Sequence, residues 1–345
     1  FCLRGCYSSV ARFKFFYRRT EAHLFRAERT AAAVAAATGE EAGSLSRAWD
    51  AVLFNSFHDI LPGSSIERAY VDQMAQMGTA FHEAQSVEFR ALNVLARRLD
   101  TRVNRPVHPD EPTPVAVLAW NPHPTPFKGH IEFETSLDYR PLYALKERCP
   151  ESIRLIGPDG RSRPFQEVAS EQFCVATAPW RGRIVAPVEL PPLGWTVLQY
   201  GWAPGVRRAA PVSHPVAAPR AGVIENEYYR VEARVGAKGL RIFRSGKSVL
   251  RGDGLSAALF DDPYGSWGGM GEERASTHLD RVRERWRVTH VETLESGPER
   301  AALWVRLAGR RSRLDLTAML YRRRDAADFA AHVFLDERSA RLKLL

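Results

Sequence analysis

Asn55-Ser56-Phe57-His58-Asp59-Ile60-Leu61-Pro62-Gly63-Ser64, continued by Ser65 and Ile66, is the stretch on which the reading of this chain turns. It ends one segment of helical apolar periodicity, begins another, and sets a histidine beside an aspartate at the junction. Leu45, Trp49, Val52, Leu53 and Phe57 precede it at spacings that predict the inward face of a helix. Pro62-Gly63 breaks that pattern, because proline lacks an N–H and glycine takes backbone conformations closed to other residues. Ser64-Ser65-Ile66-Glu67 then predicts a capping box, with the Ser64 hydroxyl accepting from the backbone of Glu67 and Glu67 reaching back.

Working outward, residues 7 to about 104 read as helices. Tyr7 to Ala37 is rich in Ala, Arg and Glu, with Phe13, Phe16, Tyr17, Leu24 and Ala27 at helical spacing. Gly39 and Gly43 mark a break, and Ser44 is placed to cap the next helix. The third helix runs to about Leu99, with Ala69, Met74, Met77, Phe81, Val87, Leu92 and Leu95 on its apolar face. Three long helices with short connections predict an antiparallel bundle. Arg98 to Thr113 is polar and Pro-rich and reads as a linker.

The period then changes to two. Val115 to Trp120 is a short apolar strand ended by Asn121-Pro122, and His130–Glu134 and Thr196–Tyr200 alternate. Pro191-Pro192-Leu193-Gly194 reads as a tight turn. A second Pro-rich linker lies between Ala203 and Pro219, after which Ile224 to Glu232 opens another strand series punctuated by Gly239, Gly246, Gly252 and Gly254. Val288–Leu294, Ala301–Leu307 and Arg313–Tyr321 alternate cleanly. The expected fold is therefore multidomain, α then β. It has a three-helix antiparallel bundle over 1–105, a small β-sandwich over 114–202, and the N-terminal part of a large antiparallel β-sandwich over 220–345.

At 345 residues the chain is long enough for about two or three domains. Its 45% hydrophobic and 26% charged residues are those of a globular protein, and no run approaches the roughly 18 apolar residues of a membrane span, so no membrane partner is expected. Four cysteines (Cys2, Cys6, Cys149 and Cys174) are too few and scattered for a disulfide framework and read as ordinary thiols in a reducing compartment. The net charge of +9 is spread along the chain, and Arg311, Arg313 and Arg322–Arg324 lie in strand-like patterns. With no RNP sequence, zinc finger or basic helix, no nucleic-acid partner is expected. The chain opens on Phe1 without a Met and ends at Leu345 in what reads as mid-strand, so both ends are read as cut.

These motifs together closely resemble the family 38 glycoside hydrolases, the zinc-dependent retaining α-mannosidases. The Trp49 to Ile66 stretch is similar to the family's N-Q-F-H-D-I-L-P-G-S-S segment. Arg4-Gly5-Cys6-Tyr7-Ser8-Ser9 with Lys14, Arg18-Arg19 and Glu21 resembles its G-x-Y-T-S-R…K…N-R-x-x-E pattern, departing at Val10 and Tyr17. Ala119-Trp120-Asn121-Pro122, Leu193-Gly194-Trp195, Ile224-Glu225-Asn226-Glu227 and Leu342-Lys343-Leu344 resemble later family motifs in the same order.

The resemblance implies a helical middle domain followed by the start of the β-rich half, with the N-terminal α/β domain of the same protein missing. It implies a zinc ion, Zn2+, with His58 as the metal ligand and Asp59 as a carboxylate contacting sugar hydroxyls. The nucleophile and the acid/base catalyst would lie upstream of Phe1, so no catalytic residue is expected within this stretch. The bland alternative for His58 is a core histidine stabilised at a helix C-terminus; the intact motif around it favours the ligand reading. Asp261-Asp262-Pro263-Tyr264-Gly265-Ser266-Trp267-Gly268-Gly269 reads either as a sugar-facing loop, with Tyr264 binding substrate, or as a Gly-rich β-turn with core aromatics. His23, His82, His108, His123, His130, His214, His278, His290 and His332 show no ligand spacing.

The expected function is that of part of a zinc-dependent retaining α-mannosidase acting on terminal α-mannosyl residues of glycans or small mannosides. A homo-oligomer and a bacterial-type cytoplasmic location are further expectations. The rival is a non-catalytic carbohydrate-binding or structural β-sandwich protein with a helical appendage, which would need no zinc.

Overall fold

The computed structural model describes residues 3–103, 113–137, 153–170, 181–267 and 281–345. Gly268, Gly269, His108, His278, Cys2, Cys149, Cys174 and most of the first linker lie outside the described residues. Three helices come first: α1 (Ala11–Thr38), α2 (Ser46–Phe54) and α3 (Glu67–Ala96). The strands that follow are β1 (Val115–Trp120), β2 (Phe127–Ser136), β3 (Ile153–Ile156), β4 (Ser162–Arg163), β5 (Gln166–Val168), β6 (Arg181–Leu190), β7 (Trp195–Trp202), β8 (Ala217–Arg220), β9 (Val223–Glu225) and β10 (Tyr229–Glu232). After these come β11 (Gly239–Arg244), β12 (Lys247–Ser248), β13 (Leu255–Asp261), β14 (Val282–Arg285), β15 (Arg287–Ser296), β16 (Arg300–Ala308), β17 (Arg313–Tyr321), β18 (Ala327–Phe334) and β19 (Ala340–Leu344). Three helices followed by antiparallel sheets are the α-then-β order expected from the periodicities. No helix among the described residues is long and apolar enough to cross a membrane.

The chain forms two compact units. The first holds residues 1–100 with 258–285 and 337–343. In it α1 buries Phe13, Tyr17, Leu24, Ala27 and Val34, spaced three, four or seven apart, against α3, where Ala80, Ala84 and Ala91 allow close approach. Gly39, at φ +74°, ends α1, and its N–H donates to Ala35 O at 2.8 Å, the left-handed stop that glycine makes without strain. The inward face of α2 is narrower than its sequence suggests. Ala48 and Val52 are buried, but Leu53 and Phe57 are exposed. Leu53, about 100° round the helix from Val52, lies beyond the edge of the buried stripe, and the helix has ended before Phe57. Phe16 and Phe81 half-cover the α1–α3 seam, their ring centroids 5.9 Å apart.

The Ser64 capping box does not form. Ile66 is the N-cap of α3 and makes no side-chain cap bond, while the Ser64 hydroxyl turns to Asp59. Ser44 does not cap α2 either: the N-cap is Leu45, which makes no side-chain cap bond, and the Ser44 Oγ accepts from the backbone N–H of Ser46, the first helical residue, at 3.2 Å.

The second unit holds residues 101–257, 286–336 and 344–345. Sheets β1–β7–β3–β4 and β2–β6–β5 share a core of Leu155, Ile184, Ala186, Leu198 and Tyr200. A second pair of sheets, β15–β16–β17–β18 and β8 to β11, buries alternate residues such as Leu314, Leu316, Ala318 and Leu320. The motif residues of this unit are turn-formers. Asn121 donates to Thr125 O at 2.8 Å and Pro191 O at 2.9 Å, and its Oδ1 accepts from the His123 N–H. Asn226 donates to Tyr321 O at 2.7 Å, and its Oδ1 accepts from the N–H groups of Tyr228 and Tyr229. One short amide thus satisfies several buried backbone groups at once.

Glu299 is wholly buried in this unit. Arg322 Nε lies 3.1 and 3.0 Å from its two carboxylate oxygens, and His130 Nε2 lies 3.0 Å from Oε2. Gln166 accepts from the backbone N–H of Glu299 and of Arg300, and donates to Arg300 O at 2.9 Å. The Arg300 guanidinium is held by Glu295 and Glu132, and burial alone would lower its pKa, but those carboxylates and Tyr321 raise it further above the usual range. Since β2 and β5 belong to one sandwich and β15–β17 to the other, this cluster joins the two. Removing one partner of such a set strands the others in a medium that solvates them poorly. Glu299→Gln is expected to cost about 3–5 kcal/mol of stability by chemical denaturation. Lys128→Ala, which breaks the exposed pair with Glu189, is expected to cost less than about 1 kcal/mol.

His23 in α1 gives the helical unit a pH dependence. Burial, and then the adjacent Arg26, lower its pKa, against the pull of Glu88. The unfolded chain therefore binds the proton first, so stability is full above about pH 6.5 and falls as the pH drops below it. His23→Gln is expected to flatten this part of the melting-temperature profile between about pH 7 and 5.

Candidate functional site

The helix α2 stops at Phe54, and residues 55–66 carry the chain into α3. Asn55 begins the turn fully buried, with its amide donating to Ala51 O at 2.8 Å and to Gln76 Oε1 at 2.9 Å. It thereby ties the end of α2 to α3. A single further turn follows, in which the N–H groups of Ile60 and Leu61 donate to Phe57 O. Ile60 is buried, and its carbonyl accepts the Tyr70 hydroxyl at 2.8 Å. That hydroxyl is kept protonated to higher pH than usual, chiefly by burial.

These anchors hold the backbone and leave the polar side chains outward. His58 is 76% exposed and its ring leans on Phe57, with the centroids 4.2 Å apart. Asp59 is 43% exposed, and its Oδ2 lies 3.2 Å from His58 Nε2. Ser64 donates to Asp59 Oδ1 at 3.1 Å and Ser65 to the Asp59 carbonyl at 2.6 Å, so the carboxylate is oriented as well as accessible. His58 therefore stands just beyond a helix C-terminus on an open surface and is not a core histidine.

Gly63 closes the turn at φ +89°. A Cβ there would meet Ser9 Cβ at 2.7 Å, so the position excludes other residues twice, by conformation and by contact. Gly63→Ala is expected to destabilise the chain by about 1–3 kcal/mol. Gly39→Ala is the control, because Gly39 also has positive φ but has nothing within 4 Å of its would-be Cβ. Denaturation midpoints of the two variants separate strain from contact.

The second constellation belongs to the same unit. Its carboxylates are engaged. Asp261 is bound by Arg283 at 2.7 Å, and Asp262 by Arg341 at 2.9 and 2.6 Å. Both carboxylates thus hold arginines of the same unit, and the Asp262 side chain is largely buried. Its rings are not core aromatics either, since Tyr264 is 37% and Trp267 46% exposed.

Residues without a role in the sequence reading join the two loops. A 3-10 turn, Gly265–Trp267, lies against the turn Arg4–Tyr7. A Cβ on Gly5 would stand 1.7 Å from Gly265 O, so only glycine allows the approach. Cys6 Sγ donates to Ser266 O at 3.0 Å, and Ser266 Oγ lies 2.7 Å from Gly63 O and 2.9 Å from Ser9 Oγ. Lys14 donates to Ser9 O, and burial lowers its pKa.

Among the described residues, no group of three or more His, Cys, Asp or Glu side chains could hold a metal ion. His58 and Asp59 supply an imidazole and a carboxylate, donor types that suit zinc, but a zinc site needs at least three protein ligands. This pair fits as a contribution to a shared site and not as a complete one.

Residues 2–95 match the family model of the alpha mannosidase middle domain. Two solved structures from Enterococcus faecalis share the fold. One, an alpha-mannosidase from strain V583, is 17% identical and superimposes with a TM-score of 0.72, covering 99% of this chain and 43% of its own. The other, a protein in glycosyl hydrolase family 38, is 16% identical with a TM-score of 0.71, covering 99% of this chain and 45% of its own. This chain thus spans less than half the length of either. Comparison with curated proteins gave no match. By sequence in its helical part, and by fold along nearly all its length, this chain is similar to the α-mannosidases of glycosyl hydrolase family 38.

Proposed function

We propose that this chain is part of a zinc-dependent retaining α-mannosidase acting on terminal α-mannosyl residues of glycans or small mannosides. The observation that carries the reading is the outward projection of His58, with Asp59 beside it, from a turn whose backbone is anchored on three sides. An exposed, oriented imidazole–carboxylate pair is what one side of a shared metal site would present. The helical region, residues 1–105, supplies this wall of the site, and the regions 114–202 and 220–345 form the β-rich remainder of the chain.

In this reading His58 is a ligand, and Asp59 accepts hydrogen bonds from sugar hydroxyls. Bound zinc would supply Lewis-acid polarisation of the sugar hydroxyls it touches. Asp59 is suited to its part, because Ser64 holds one carboxylate oxygen and the side chain remains solvent-accessible. Tyr264 would offer a ring to the apolar face of the pyranose. The nucleophile and the acid/base carboxyl of a double displacement are expected from outside residues 1–345.

The test is metal content and turnover in the intact protein. His58→Ala is expected to lose zinc and to lower hydrolysis of an aryl α-mannoside by roughly 100-fold or more. His82→Ala, on the exposed face of α3, is expected to retain both. Equal zinc in the two variants by elemental analysis would remove His58 from the ligand set. Mannoside binding without turnover or zinc would favour a non-catalytic carbohydrate-binding protein.

A further inference from the structure

Between Gly63 and Ser266 lie two hundred residues of chain, yet a hydroxyl–carbonyl contact of 2.7 Å joins them. Gly63 is five positions beyond His58, and Ser266 is flanked by a turn whose two exposed rings are Tyr264 and Trp267. Nothing covalent nearby fixes these rings relative to the His58–Asp59 loop. Their placement depends on contacts that the Gly265–Trp267 turn makes within the unit.

Three kinds of contact seat the turn. Gly5 lets the Gly265 carbonyl pack directly on its Cα, Cys6 Sγ donates to the Ser266 carbonyl, and Ser266 Oγ reaches both Gly63 O and Ser9 Oγ. Ser9 Oγ in turn donates to Gly5 O at 2.7 Å. Two hydroxyls have two protons for these three short contacts, so the Ser266 proton is shared between Gly63 O and Ser9 Oγ. Ser266 is the only one of these side chains that touches the carbonyl of the His58 loop itself. Stacking on a pyranose face requires the ring to be held at a set height and tilt, which a loosely attached turn would not give.

We propose that Ser266 is a positioning residue. It seats the Tyr264–Trp267 turn on the Pro62–Gly63 end of the His58–Asp59 loop, so that the turn's aromatic rings form the wall against which a pyranosyl unit stacks. The assignment rests on the mannosidase reading for the identity of the sugar, but not for the seating. Ser266 acts on affinity for the sugar and not on metal retention, because its contacts run to the loop backbone and not to His58 or Asp59.

The experiment compares Ser266→Ala, Ser266→Thr and Gly5→Ala in the intact protein. Hydrogen exchange read by mass spectrometry is expected to rise in Ser266→Ala and Gly5→Ala for peptides covering 57–66 and 260–267 together. It should stay at the unsubstituted level in Ser266→Thr, which keeps the hydroxyl. For an aryl α-mannoside, KM is expected to rise on the order of ten-fold in the first two variants, with kcat and zinc content unchanged and KM restored by threonine. Unchanged exchange over 57–66 in Ser266→Ala overturns the seating. Raised exchange with unchanged KM, or a loss confined to kcat, overturns the role in sugar binding. If the unsubstituted protein turns over no α-mannoside, the mannosidase reading and the sugar wall fall together, and the exchange data alone judge the seating.

Discussion

Twelve residues, 55–66, must carry the chain from the end of α2 to the start of α3 without stranding buried backbone groups, and this requirement shapes the candidate site. Each solution uses a residue already fixed by sequence. Asn55 spends its amide on Ala51 and Gln76, Tyr70 satisfies Ile60 O, and Ser266 serves Gly63 O. Once those groups are matched, the backbone has no use for the side chains of His58 and Asp59, and they are left pointing outward. An exposed reactive pair is therefore compatible with a rigid loop, because rigidity comes from the groups on its other side.

The Glu299 cluster and the His58 turn handle charge in opposite ways. In the β-rich unit Glu299 is enclosed by Arg322, His130 and backbone, and Arg300 by two carboxylates, so those charges serve to fix one sandwich on the other. At the helical turn the His58–Asp59 pair remains open to water, with Asp59 Oδ1 accepting only a neighbouring hydroxyl, that of Ser64. Burial converts a charged group into structure, since leaving it unmatched would be costly. Exposure leaves it available to a ligand. The contrast is the physical ground for proposing function at residue 58 and not at the charged cluster around residue 299.

Glycine acts at this site through close approach more than through flexibility. Gly5 admits the Gly265 carbonyl, and Gly63 admits Ser9 while holding positive φ. Both lie in motifs that were legible as motifs, but the reason for each glycine is a contact with residues far along the chain. Asn121 and Asn226 are similar, being short amides that close turns by bonding backbone groups in two segments.

By itself the sequence determined the order of helices and strands, the break at Pro62-Gly63 and the candidate pair, because periodicity, turn residues and a His–Asp dipeptide are local properties. It misjudged where locality fails. Leu53 and Phe57 were assigned inward though the helix ends between them, and Ser64 was assigned to a capping box though Asp59 competes for its hydroxyl. Tertiary structure alone decided that Asp261 and Asp262 are consumed by arginines, that Tyr264 and Trp267 stay exposed, and that Ser266 reaches Gly63. Those outcomes depend on which distant groups arrive within hydrogen-bonding distance, and a competition between partners 22 to 203 residues apart leaves no trace in local spacing.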